Sequence, residues 1–350
     1  MKKLFSTFLI ILFLLSGCQT TSESSPTLPG NDHTFAVHYI DVGQADAALV
    51  VCDGHYMLID GGNAADSDLI YAYLEAQGAS HLDYMVATHA HEDHIGGLSG
   101  ALNYATVDTA LCPVTEGNTQ VFQDMVHYLE LQDKTLTVPE PGDTFSLGSA
   151  QVEILGPVKE YSDTNNTSIV LRVEYGQTSF LFTGDMERDA EQDLIDSGAD
   201  LSATVLKVGH HGSETSTSYP FLRQVMPDYA VISVGTDNSY GHPSDDTLSR
   251  LRDEGAQVFR TDLQGTIIAQ SDGSTVTFQT EKQTSLPTNP TQPVQEGYVG
   301  NSNSLKFHLP SCSSVSDMAP DNQVLFDTRE QAVQAGYSPC QRCNPRRRRR

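Results

Sequence analysis

The segment Thr88-His89-Ala90-His91-Glu92-Asp93-His94-Ile95-Gly96-Gly97 puts four side chains able to ligate a metal, His89, His91, Asp93 and His94, within six positions. It continues the apolar stretch Leu82–Thr88, which reads as a short strand, so the four leave a strand end on a loop. From such a loop His89 and His91 can turn to one ion while Asp93 and His94 serve a neighbouring one. Neutral imidazole and carboxylate suit Zn²⁺, and also Mn²⁺ or Fe²⁺. Two ions about 3.5–4 Å apart would lower the pKa of a shared water and stabilise an oxyanion. Gly96 and Gly97 are expected to let the backbone turn tightly beneath the cluster. Nothing in the chain suggests a nucleophilic serine or cysteine, so the chemistry implied is hydrolysis by activated water.

The elements that must carry these residues alternate between strand and helix. Thr34–Val42, Ala47–Val51 and His55–Asp60 read as strands, the last ending in Gly61-Gly62. Ala65–Gln77 has helical spacing of Leu69, Ile70, Tyr73 and Leu74, with Gly78 as its stop. A helix over Val121–Leu131 follows, then strands over Gln151–Leu155, Ser168–Tyr175 and Thr178–Thr183. Helices are predicted over Glu187–Ser197, Tyr219–Val225 and Ser244–Glu254, with strands Thr204–Val208 and Tyr229–Val234 between them. Gly265–Gln270 and Ser274–Gln279 close the domain as strands, and the mixture predicts an α/β sandwich. Asp60, at a strand end, is expected to orient a ligand histidine from behind; a plain turn aspartate is the blander alternative.

Length and composition fit this plan. The 350 residues accommodate a domain of about 250 residues and a small extra module. With 38% apolar and 19% charged residues the chain can build an ordinary core. Its net charge of −25 argues against affinity for long DNA or RNA won by counterion release. Any polyanionic substrate must be held by metal or by a local patch. The proline-bearing stretch 281–297 reads as a linker between a domain over 33–280 and a module over 298–345, and five arginines end the chain at 346–350. Lys2 and Lys3 precede the apolar run Leu4–Leu15, which suits a signal peptide rather than a membrane span. Leu15-Ser16-Gly17-Cys18 resembles a bacterial lipobox, which implies lipid on Cys18. Residues 19–32 then form a flexible tether. The expectation is an exported protein anchored to the outer face of the cytoplasmic membrane, or to the outer membrane. Cys52 and Cys112 either pair or remain buried free thiols.

H-x-H-x-D-H-x-G-G resembles the metal motif of the metallo-β-lactamase superfamily. Asp41-Val42-Gly43-Gln44-Ala45-Asp46, Leu58-Ile59-Asp60-Gly61-Gly62, Asn165-Asn166-Thr167-Ser168, Phe182-Thr183-Gly184-Asp185, Lys207-Val208-Gly209-His210-His211-Gly212-Ser213 and Tyr240-Gly241-His242-Pro243 narrow the likeness. They follow the order seen in the ComEC-type hydrolase domain and its stand-alone secreted relatives, over roughly residues 34–280. The resemblance implies an αββα sandwich with Asp185 as a metal-bridging carboxylate, although an aspartate there could also cap the following helix. It implies a last ligand from His210 or His211, with the other contacting substrate or protonating the leaving group. His242 becomes a phosphate contact or an alternative ligand. Asn166 stands where most of the superfamily has a further histidine, and an amide binds metal more weakly than imidazole does. Ser168, Lys207 and Ser213 lie beside these positions and, like Asn166, are candidate weak ligands or substrate contacts; with Lys207 and Ser213 near, His210, His211 and His242 could cradle phosphate oxygens.

Residues 298–345 resemble the small zinc-binding module of the Ada DNA-repair protein. His308 stands where the first cysteine is usual, which gives His308, Cys312, Cys340 and Cys343 as a structural Zn²⁺ set. The substitution puts methyl-accepting chemistry in doubt, and a disulfide among the three cysteines is the alternative. The leading expectation is therefore a phosphodiesterase or nuclease with two divalent ions (Zn²⁺ or Mn²⁺), acting on DNA or a related phosphodiester, with no protein partner. Hydrolysis of an ester, lactone or β-lactam on the same site, or non-catalytic DNA binding at the cell surface, are the alternatives.

Overall fold

A computed structural model describes residues 35–291, 297–310, 312–326 and 329–343. The expected signal peptide with Cys18, the tether 19–32 and the arginine tail 346–350 lie outside the described residues. Among the described residues no helix is long and apolar enough to cross a membrane.

Residues 35–280 form four layers, because the central strands of both sheets are apolar on both faces. On Phe35–Tyr39, the side chains of Phe35, Val37 and Tyr39 enter a central core with Phe180 and Phe182 of strand Thr178–Phe182. Neighbours of opposite parity, such as Leu49 and Val51 on one sheet and Leu181 on the other, face outward and are covered by helices. Alternation of this kind, with apolar residues on both sides, marks a sheet buried on both faces. The first sheet has eight strands and the second seven, packed face to face. Helices Ser67–Gln77, Leu98–Tyr104 and Gln120–Glu130 cover the first. Helices Arg188–Ser197, Tyr219–Val225 and Asp245–Glu254 cover the second. This is the αββα sandwich expected. Strands Thr106–Leu111, Thr144–Leu147 and Gln257–Arg260 and the helix Leu98–Tyr104 were not anticipated. The predicted strand from Ser168 begins only at Val170, because Asn165–Thr167 winds into a 3₁₀ turn. Cys52 and Cys112 are buried free thiols.

The module at the C-terminus has its own four-stranded sheet, ordered Gln323–Phe326, Tyr298–Asn301, Lys306–His308, Ser338–Pro339.

One buried histidine of the first sheet has a consequence for acid stability. His38 bonds Tyr73 Oη through Nδ1 at 2.8 Å, and its Nε2 has no partner. Burial lowers its pKa from 6.5 to about 4. As pH falls from 6.5 toward 4 the unfolded chain takes up a proton that the folded chain refuses, so folding loses up to roughly 3 kcal/mol over that window. His38→Gln should remove this component. Melting curves from pH 7 to 4 are expected to fall less steeply in the variant than in the wild type, and equal slopes would contradict the assignment.

Candidate metal centre

The site lies where the ends of strands from both sheets meet. Strand His81–Val86 delivers Thr88 and His89, and His91 caps the short helix Glu92–Ile95 that carries Asp93 and His94. Gly96 (φ −58°) and Gly97 (φ −86°) have ordinary helical torsions, so conformational freedom is not what they contribute. They contribute space: a Cβ on Gly97 would stand 2.0 Å from Gly61 O, and one on Gly96 would stand 2.2 Å from Ala64 N. The backbone beneath the cluster packs too closely for any side chain.

Strand Thr178–Phe182 of the second sheet leads through Thr183 and Gly184 to Asp185, which is buried. Its backbone N–H donates to Ser168 Oγ at 3.0 Å. The carboxylate is the hub of the site. Its Oδ1 lies 3.3 Å from His94 Nε2, and its Oδ2 lies 3.6 Å from His210 Nε2, 3.7 Å from His211 Nε2 and 4.0 Å from His89 Nε2. Asp93 Oδ2 lies 3.3 Å from His211 Nε2, and His89 Nε2 lies 3.0 Å from His91 Nδ1. Ligating atoms of Asp93, His94, Asp185 and His211 all fall within 4.8 Å of one another.

The adjacent histidines His210 and His211 separate in role through their backbone. Both have left-handed torsions (φ 50° and 52°), a conformation costing about 1–3 kcal/mol per residue and concentrated at functional sites. The turn buries His211 inside the cluster and leaves the His210 side chain 22% exposed, with Nδ1 3.2 Å from Glu187 Oε1. His242 stands just outside, 5.7 Å from the His210 ring centre, with Gln44 Nε2 at 3.4 Å from its Nδ1.

Carboxylates behind the histidines aim them. Asp60, itself left-handed at φ 58°, accepts from Thr88 N–H (2.8 Å), Thr88 Oγ1 (2.7 Å) and His94 Nδ1 (2.8 Å). That leaves His94 Nε2 pointing into the cluster. His211 is aimed similarly, its Nδ1 lying 3.2 Å from the Ser233 carbonyl oxygen and 3.1 Å from Asp46 Oδ1. Lys207, expected near substrate phosphate, is instead buried and donates to Asp46 Oδ2 at 2.7 Å and to Val208 O at 3.1 Å. Its ammonium compensates Asp46 rather than reaching substrate. Ser213, expected near phosphate, is buried, and its hydroxyl pairs with Thr215 Oγ1 at 2.9 Å. Asn166 Oδ1 accepts from Glu187 N–H at 3.0 Å, so the amide oxygen expected as a weak ligand ties down the loop after Asp185. Asp46 and Glu187 were not anticipated, because each meets its histidine only through the tertiary fold.

These donors fit divalent cations. His94 Nε2 and Asp185 Oδ1 are buried and face each other at 3.3 Å, and neither makes a hydrogen bond among the described residues. Buried polar atoms left that way are costly unless something pairs them. The titration pattern agrees. Burial opposes charge on His94 and His211, but Asp185 with Asp60 holds His94 well above its ordinary pKa, and Asp185 with Asp46 raises His211 to about 10. A cation bound among these carboxylates would compete with protons for the same imidazoles, so metal affinity should rise with pH. His89, lacking such a carboxylate behind it, is driven well below its ordinary pKa by burial.

A second set lies in the C-terminal module, where ligating atoms of His308, Cys312, Cys340 and Cys343 fall within 4.8 Å of one another. All four residues are buried and the cysteines are free thiols, not a disulfide. A three-cysteine, one-histidine set matches structural zinc, and modules this small depend on the ion to fold. Cys340→Ala is therefore expected to release that ion and raise protease sensitivity of residues 298–343, while hydrolysis at the other site stays within about twofold. Limited proteolysis with and without chelator checks the first part; loss of turnover would show that the two sites are coupled.

Two family models match the chain: the metallo-beta-lactamase superfamily over residues 40–236 and the metal binding domain of Ada over residues 292–346. The chain is 31% identical over 250 residues to ComE operon protein 3 of Bacillus subtilis (strain 168), covering 66% of this chain and 32% of that protein. It is 32% identical over 259 residues to competence protein ComA of Neisseria gonorrhoeae, covering 73% and 34%. It is 31% identical over 242 residues to recombination protein 2 of Haemophilus influenzae, covering 67% and 28%. The chain thus spans about a third of the length of these curated relatives.

Proposed function

Because this chain belongs to the metallo-β-lactamase superfamily, we propose that it is a metal-dependent phosphodiesterase or nuclease, exported and held at the cell surface by lipid on Cys18. The observation that carries the reading is the convergence of Asp93, His94, Asp185 and His211, with His89 and His91 beside them and two further imidazoles, His210 and His242, at the rim. The names of the relatives, competence and recombination proteins, support DNA or a related phosphodiester as substrate.

His89 and His91 would hold one ion and Asp93, His94 and His211 another, with Asp185 shared. Divalent ions bound there supply Lewis acidity and the activation of water that hydrolysis requires. The protein's own work is to aim and to move protons. Asp60 keeps Nδ1 of His94 engaged, and the Ser233 carbonyl with Asp46 beside it does so for His211, so that both Nε2 atoms face inward. His210, backed by Glu187 at 3.2 Å and partly open to solvent, is placed to give a proton to the departing oxygen. His242 is neutral near pH 7, since burial and then the His211 and His210 charges lower its pKa to about 4. The Gln44 amide N–H faces its Nδ1, so its proton belongs on Nε2. A phosphodiester gives two rim imidazoles oxygens to contact, and a net charge of −25 disfavours the non-catalytic DNA binder.

Turnover of bis(p-nitrophenyl) phosphate and of plasmid and single-stranded DNA, with Mn²⁺ or Zn²⁺ and with chelator, tests the proposal. Metal-dependent cleavage is expected. Turnover of a chromogenic cephalosporin with none of the diester would overturn it in favour of ester, lactone or β-lactam hydrolysis. DNA binding without cleavage would leave a binder.

A further inference from the structure

We infer that Tyr240 is a stacking platform for an unpaired nucleobase adjoining the scissile phosphate, which makes it a specificity-determining residue of the site; the inference rests on the phosphodiesterase reading above. The rings form a stair from the metal centre to solvent. His242 lies 6.4 Å from His211 at an interplanar angle of 27°, and Tyr240 lies 5.7 Å from His242 at 24°. Each step is a near-parallel stack, whereas His210 meets His242 edge-on at 74°. Tyr240 is the outermost step and is 72% exposed.

An aromatic ring so exposed usually swings freely, but the loop under this one is braced. Asn238 Oδ1 accepts from the N–H groups of Tyr240 (3.1 Å) and His242 (3.0 Å). Its Nδ2 donates to Gly235 O (3.0 Å) and His242 O (2.6 Å). Gln44 anchors the same loop from the first sheet by accepting from Gly235 N–H at 3.1 Å. The backbone that carries the ring is therefore held, with one side of the ring against His242 and most of its surface in water.

The charge of the protein says what such a ring is for. At −25 overall, and with Lys207 buried against Asp46, the chain has few cations to set along the phosphates of a strand. Base–aromatic stacking is the other general means of holding nucleic acid, and it tolerates any base. A base within a duplex is already stacked on both faces, so the platform selects single strands, frayed ends or short nucleotide diesters.

The test is the affinity of the full chain, by calorimetry, for two uncleavable ligands: a thymidine dinucleotide joined by a methylphosphonate, and its abasic counterpart. Measuring both with and without Mn²⁺ provides a readout independent of turnover. The ratio of the two affinities should fall about 5- to 150-fold in Tyr240→Ala, and stay within about twofold of wild type in Tyr240→Phe. An unchanged ratio in Tyr240→Ala overturns the inference, as does a fall of equal size in Tyr240→Phe. Failure of the phosphodiesterase reading shows separately, as no metal-dependent cleavage of bis(p-nitrophenyl) phosphate or single-stranded DNA by the wild type or by Tyr240→Phe.

Discussion

Asp185→Ala is expected to abolish hydrolysis and to empty the metal centre while leaving the C-terminal ion in place. Among the described residues, Asp185 lies within 4.0 Å of His89, His94, His210 and His211 together, so it links both halves of the ligand set. Removing a residue that merely orients a ligand costs about 10- to 100-fold in metal affinity or activity. Loss of a directly coordinating carboxylate shared by both halves should exceed about 100-fold in each. Elemental analysis alongside bis(p-nitrophenyl) phosphate turnover checks this. The residual ion is expected at His308, Cys312, Cys340 and Cys343. Asp185→Asn keeps the shape and loses the charge, so it should fail as badly; full turnover in either variant would mean that the ligands are misassigned.

Asp60→Asn is the second large effect, and it separates aiming from coordination. Asp60 is buried, and its two oxygens already serve three donors: the Thr88 amide, the Thr88 hydroxyl and His94 Nδ1. Asparagine tolerates the left-handed φ of 58°, so the backbone need not move. Its amide has one oxygen, however, and its NH₂ would face either Thr88 or His94 donor to donor. His94 then loses the partner that fixes its tautomer and its ring. A 10- to 100-fold weaker affinity for Mn²⁺ is expected, with turnover at saturating ion recovering to within severalfold. Unchanged affinity would show that Asp60 is only a turn residue.

Much of the site is legible in the sequence because its ligands follow strand ends in contiguous runs. His89 to His94 lie on one loop, and Asp185 and the His210-His211 pair each follow a strand of the second sheet. Which of His210 and His211 turns inward is not legible there, since it depends on two successive left-handed torsions that neighbouring residue types do not announce. The partnership of Lys207 with Asp46 is hidden for another reason: the two are 161 residues apart, and a lysine beside a histidine pair looks like an anion contact until its burial is known. The motif places Gly96 and Gly97 beneath the cluster but suggests the wrong reason for them, because close packing against Gly61 and Ala64 is a tertiary fact. The sandwich itself follows from strand–helix alternation. Strand Thr106–Leu111 escapes because exposed Thr106 and Asp108 interrupt its apolar pattern, though it pairs in parallel with His81–Val86.

Hydrolysis by this chain requires cations standing among these buried imidazoles and carboxylates. Anomalous diffraction from crystals grown with Zn²⁺, recorded on both sides of the zinc absorption edge, tests that most directly. Strong peaks are predicted against Asp185, between it and the His89–His91 pair and between it and His94, Asp93 and His211. A peak at His308, Cys312, Cys340 and Cys343 serves as the internal control. That control peak with nothing beside Asp185 would contradict a metal-bound catalytic centre.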